Sequence, residues 1–244
     1  MTKLSDPAYE YTVLVDDGNG GLIPRDGVQD PVTGTWTYTL HPGVYCGPNG
    51  MDPGGNNAKA IKFAGGGSTP NIIFSHASGG EGYSTADDLN IHGVYVIKNG
   101  ALDLASSGSI FCEECGFFLT GDPATADWTG SNSITLTASS SVDSPLQGLF
   151  LVQDPNTDYT PEDQEVFIAG STGGSYSGGV YIPNGKLTMV GTSDSDRSEG
   201  SDCLVIIADQ LEFKGGATLE ANSTCAGGNA PDFSPSPLFF TLVN

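Results

Sequence analysis

The chain has 244 residues and a formal net charge of −21, with 8 Lys and Arg against 29 Asp and Glu, yet only 15% of it is charged. The imbalance comes from missing bases, so there are no clustered Lys and Arg to track a nucleic-acid backbone or an anionic lipid surface. The 35 Gly and 15 Pro argue against long helices, while 37% hydrophobic residues suffice for the core of one all-β domain.

In chain order, β-branched and aromatic runs bounded by Gly, Pro, Asn or Asp predict strands at Tyr11–Val15, Trp36–Leu40, Ala60–Phe63, Asn71–Phe74, Gly93–Ile97 and Ala101–Leu104. Further strands are expected at Ile110–Cys112, Gly116–Leu119, Ser133–Thr137, Gly148–Val152, Glu165–Ile168, Gly179–Ile182 and Lys186–Val190. Cys203–Ala208, Gln210–Phe213, Ala217–Leu219 and Leu238–Val243 complete the set. No stretch sustains apolar residues at i, i+3, i+4 and i+7, so little helix is expected. No run approaches the roughly 18 apolar residues of a membrane span. Met1–Glu10 lacks the layout of a signal peptide, which leaves a cytosolic chain or the mature or truncated part of an exported one.

One tripeptide recurs, as Gly43-Val44-Tyr45, Gly93-Val94-Tyr95 and Gly179-Val180-Tyr181, with Gly148-Leu149-Phe150 a looser copy. Two copies continue through an Asn-Gly pair, Asn99-Gly100 and Asn184-Gly185, into a second alternating run. Asn-Gly between strands suggests a two-residue hairpin. In a solenoid, the same residues supply left-handed backbone angles at corners between stacked strands. The spacing of the copies is irregular, so loops of differing length would separate the rungs. A β-solenoid and a β-sandwich both fit this pattern.

The five cysteines favour an oxidising compartment. Cys203 and Cys225 bracket a Gly-, Ala- and Asn-rich segment, and a bridge there would stabilise by about 3 kcal/mol through chain entropy. Cys112 and Cys115 form a C-E-E-C run. A redox pair needs an electropositive or helix-start setting, and here two glutamates separate the thiols. Zinc needs four ligands, and His41, His76 and His92 are scattered singly. The favoured expectation is Cys46 bridged to Cys112 or Cys115, with one thiol left over.

The succession of several segments carries more. L-H-P-G-V-Y-C-G at Leu40–Gly47 is followed by H-G-V-Y-V-I-K-N-G-A-L-D-L at His92–Leu104 and G-F-F-L-T-G at Gly116–Gly121. Next come S-I-T-L-T-A at Ser133–Ala138, G-L-F-L-V-Q-D at Gly148–Asp154 and G-G-V-Y-I-P-N-G-K-L-T-M at Gly178–Met189. C-L-V-I-I-A-D-Q-L-E-F at Cys203–Phe213 closes the series, ending at Cys225. This order resembles the C-terminal region of the TadG-like proteins of bacterial tight-adherence (Flp-type) pilus systems. The match runs in scattered blocks from Leu40 to the C-terminus. The resemblance implies a right-handed parallel β-helix over residues 40–244, with residues 1–39 as an N-terminal cap or linker. It implies a location outside the cell or in its envelope, and a non-enzymatic structural or adhesive role. Its partners would be pilus-assembly or cell-surface proteins. Cys203 and Cys225 match the family pattern, whereas the C-E-E-C run sits where relatives have a Gly/Thr-rich segment. The family's N-terminal transmembrane segment has no counterpart here, and no catalytic residues carry over.

The rival is a carbohydrate-active enzyme on the same scaffold. Glycoside hydrolysis needs two carboxyl groups across a cleft, one protonated and one ionised. Asp154, Asp158, Asp163 and Glu165 are the candidates; as a solvated loop between rungs, they would do nothing of the kind. A lyase acting on acidic sugars wants basic residues, and Arg25 and Arg197 are the only arginines. A third reading is a surface binding module stabilised by calcium, the one candidate ion. Asp194, Asp196 and Glu199 could supply part of its oxygen shell, and Asp16, Asp17 and Asn19 form a second oxygen-rich segment. Neither segment has the EF-hand pattern, and plain surface acidity explains both. Trp36, Trp128 and several tyrosines would either form a glycan platform or cap and fill the fold.

Overall fold

The computed structural model describes residues 14–16, 22–24, 28–46, 59–62, 71–75, 93–104, 108–121, 123–129, 133–156, 164–170, 175–191 and 204–215. Across them the chain is all-β, with seventeen strands in one mostly parallel sheet and no helix among the described residues. Antiparallel pairing is confined to the start. β1 (Leu14–Asp16) pairs with β2 (Leu22–Pro24), and β2 meets β6 (Lys59–Lys62) at Leu22. β3 (Val28–Gln29) folds back on β4 (Trp36–Leu40) through a turn that Asp30 closes, accepting bonds from the Val32 amide and the Thr33 hydroxyl, both 2.8 Å.

From β4 onward, each strand pairs in parallel with the strand three places along, which sorts the chain into three ladders. The first holds β4, β7 (Asn71–Phe74), β10 (Ser109–Cys112) and β13 (Ser133–Thr137). The second holds β5 (Gly43–Cys46), β8 (Val94–Lys98), β11 (Gly116–Thr120) and β14 (Leu149–Gln153). The third holds β6, β9 (Ala101–Asp103), β12 (Ala126–Trp128) and β15 (Glu165–Gly170). β16 (Ser175–Gly191) is long enough to join all three ladders in turn, and β17 (Leu204–Lys214) lies parallel to it across the second and third.

In-register parallel pairing stacks like positions into columns, and the strand period of two sends alternate columns inward. One inward column of the second ladder runs Tyr95, Phe117, Leu151 and Val180. In the first ladder, Leu40, Phe74, Cys112 and Leu136 do the same, and all four have at most 1% of their surface exposed. Rings meet where these columns converge. Phe117 stands edge-on to Phe74 with centroids 4.8 Å apart, stacks on Tyr95 at 5.4 Å and touches Trp128 at 5.6 Å. Such contacts add about 0.5–1.5 kcal/mol each beyond area burial. The Tyr95 hydroxyl, buried with its ring, donates to the carbonyl of Leu40 or Ser75, at 2.8 and 2.6 Å.

The Asn-Gly pairs do not make hairpins. Asn99, in the left-handed region at φ 51°, turns the chain from β8 to β9, and its amide bonds the Thr120 carbonyl in the neighbouring rung. β8 and β9 therefore find their partners in other rungs, in different ladders. Asn184-Gly185 lies inside β16, which absorbs two predicted strands, as β17 does. The mostly parallel pairing also departs from the antiparallel sheets of a β-sandwich. The predicted strands at Ala217–Leu219 and Leu238–Val243 lie outside the described residues.

Candidate functional site

Among the expected site residues, Asp194, Asp196, Glu199, Cys203 and Cys225 lie outside the described residues, as do Asp17, Asn19, Asp158 and Asp163. Cys46 ends β5, its backbone opposite Lys98. Cys112 and Cys115 are joined to each other, their Cα atoms 5.9 Å apart, rather than either to Cys46 as expected. The local backbone explains this pairing. Cys112 closes β10 on an inward column and Cys115 immediately precedes β11. Between them Glu113 and Glu114 form the corner, with Glu114 left-handed at φ 55°. Both cysteines are fully buried while both glutamates are exposed, so the corner turns its sulfurs in and its charges out. This corner sits on Gly93, the residue before β8. Gly93, at φ 65°, lies so close that a Cβ there would collide with the Glu114 carbonyl oxygen.

Of the carboxylates considered for glycan hydrolysis, the two among the described residues, Asp154 and Glu165, are engaged in structural bonds. Asp154 accepts the Asn156 amide at 3.0 Å and side-chain nitrogen at 3.1 Å, and the Thr120 hydroxyl at 2.8 Å. These bonds, the Asn156 amide foremost, hold its carboxyl below the usual range. It is thus an ionised turn cap, in which these bonds outweigh the desolvation that would favour a protonated general acid. Glu165 accepts from Thr188 and pairs with Lys186 at 3.2 Å. No three His, Cys, Asp or Glu side chains gather as a metal site among the described residues.

One polar feature is internal and carries no sequence motif. Gln153 and Gln164 are both fully buried and hold Ala124 between them. The Gln164 side-chain oxygen accepts the Ala124 amide at 2.9 Å, and the Gln153 side-chain nitrogen donates to its carbonyl at 3.1 Å. Two side-chain amides thereby satisfy the backbone just before β12. The only sequence signal was a glutamine closing an otherwise apolar run.

What remains for recognition is the outer surface, and its three faces differ in chemistry. The outward positions of the first ladder include Thr37, Thr39, Asn71, Ile73, Phe111, Ser133 and Thr135. Those of the second include an apolar column, Val96, Phe118, Val152 and Tyr181, ending at the exposed Ile207, beside the pair Lys98 and Thr120. The loop before β14 folds Leu146 over part of this column. The third ladder carries charge. Lys186 bridges Glu165 and Glu212, and Lys214 reaches Glu212 at 3.2 Å while its amine lies 5.9 Å from the Phe167 ring centre. The bond to Glu212, then that to Glu165, raises the Lys186 amine above its usual range. The bonds from Lys186 and Lys214 depress Glu212.

Compared with known proteins, the chain matches no family model, no curated protein and no solved structure. The site must therefore be judged on its geometry. That geometry offers three parallel ladders whose outward positions differ in chemistry, with Asp154 as a turn cap and Glu165 as an ion-pair partner.

Proposed function

We propose that this chain is a right-handed parallel β-helix, placed outside the cell or in its envelope, with a structural or adhesive role rather than a catalytic one. The observation that carries the reading is the return of every third strand to the same ladder, with outward columns kept in register. Parallel crossovers are right-handed in nearly all known cases, which favours that hand here. A stack of this kind presents long, rigid faces, and that suits a protein that holds rather than turns over. The resemblance to TadG-like proteins directs the role toward tight-adherence pilus assembly or surface attachment, with pilus-assembly or cell-surface proteins as partners.

The test is display of the full chain on a non-adherent, non-piliated bacterium, scored for attachment to cells and surfaces, beside turnover assays on a glycan panel. Attachment without depolymerisation is the expected result. Depolymerisation abolished by Asp154→Ala would overturn the reading in favour of a carbohydrate-active enzyme.

A further inference from the structure

The outer face of the first ladder has no charge built into it. Its strands β4, β7, β10 and β13, together with the opening Ser175–Ser177 of β16, contain no Asp, Glu, Lys or Arg, although the chain holds 29 acids. Phe111 stands in the middle of the face, 43% exposed, with Ile73 on the rung before it and Thr135 on the rung after. Thr39, two rungs away in the same column, is exposed as well. The four strands from β4 to β13 span about 14 Å along the stack.

We propose that this face binds a neutral glycan lying along the stack, one sugar ring against Phe111 and its hydroxyls bonded to Thr39 and Thr135. The proposal rests on the non-enzymatic, adhesive reading and names its ligand class. Charge decides the class. The net charge of −21 repels uronic or sulfated glycans, and a cationic partner would find its counter-charges on other faces. A neutral polyhydroxyl chain meets neither obstacle, and the face offers it what it can use: an aromatic ring for the apolar side of a sugar, and hydroxyls that both donate and accept.

The experiment passes the purified full chain over immobilised cello-, manno- and chito-oligosaccharides, with uronic and sulfated oligosaccharides in parallel. Phe111→Ala and Thr135→Glu are measured beside wild type, with thermal melts to confirm folding. Retention on at least one neutral series, weakened about tenfold by Phe111→Ala and lost in Thr135→Glu at unchanged melting temperature, is the expected result. Retention confined to anionic oligosaccharides, retention unaffected by both variants, or no retention on any series overturns the proposal. If displayed protein still mediates attachment in those cases, the adhesive reading stands and only the glycan face falls. Cleavage of the immobilised chains would sink both.

Discussion

Phe117 and Phe118 are neighbours in β11 with opposite assignments, and that contrast tests the stacking directly. Phe117 is fully buried and touches the rings of Phe74, Tyr95 and Trp128. Phe118 belongs to the outward column and is partly covered by the small cluster around Val94, Leu146 and Val152. Removing a buried phenylalanine ring costs about 3–5 kcal/mol, and three ring contacts place Phe117→Ala near the top of that range. Phe118→Ala loses only partial burial, about 1 kcal/mol. Domains are stable by about 5–15 kcal/mol, so the first change would consume a large share of the total. In urea, with a slope of about 2 kcal/mol per molar, the midpoint should fall by about 2.5 M for Phe117→Ala and about 0.5 M for Phe118→Ala. Far-ultraviolet circular dichroism follows the transition. A slip of one residue in register would exchange the two faces. Equal midpoints for the variants, or a larger fall for Phe118→Ala, would therefore refute the arrangement.

Four further outcomes are expected. Gly93→Ala places a Cβ against the Glu114 carbonyl at a left-handed backbone position, so it should lower stability by more than about 1 kcal/mol, read as a drop in melting temperature. The depressed Glu212 carboxyl contributes stability above its ordinary value of 4.5 that is lost as pH falls through its lower folded value, so a melting-temperature profile on the acid side should flatten in Glu212→Gln. Lys186 works in the opposite sense: its contribution is complete below 10.5 and fades as pH rises through the higher folded value, so Lys186→Gln should remove alkaline loss. Peptide mapping under denaturing, non-reducing conditions should recover Cys112 and Cys115 bridged to each other, and five free thiols would contradict that.

Strand content was legible because alternation and bounding turn residues are local signals. Trp36–Leu40, Asn71–Phe74 and Ser133–Thr137 form strands with the limits their sequences suggest. β12 was not legible, since three residues, Ala-Asp-Trp, carry too little alternation. The Gly-Val-Tyr copies do not all place the same residue inward. Tyr45 and Tyr95 both face inward, but in the third copy Val180 is buried at 2% exposure and Tyr181 faces out. The irregular pairing between Leu149 and Leu151 of β14 and Gly179 and Val180 of β16 shifts that copy by one. A tripeptide repeat cannot report a bulge in its neighbour. The Gln153–Ala124–Gln164 clamp was equally hidden, because its bonds join residues far apart in sequence and neither glutamine sits in a motif.

The connections between ladders vary widely in length: β8 passes to β9 between Lys98 and Ala101, whereas β7 and β8 are separated by the whole stretch from Phe74 to Val94. Closing a longer loop costs little, about 0.6 kcal/mol for each doubling, while a single residue gained inside a strand turns its inward side chains out. Insertions and deletions should therefore accumulate at the corners and be purged from the columns. Over generations, such a chain can lengthen its margins, drift out of step with its relatives along the sequence, and still stack the same positions in space.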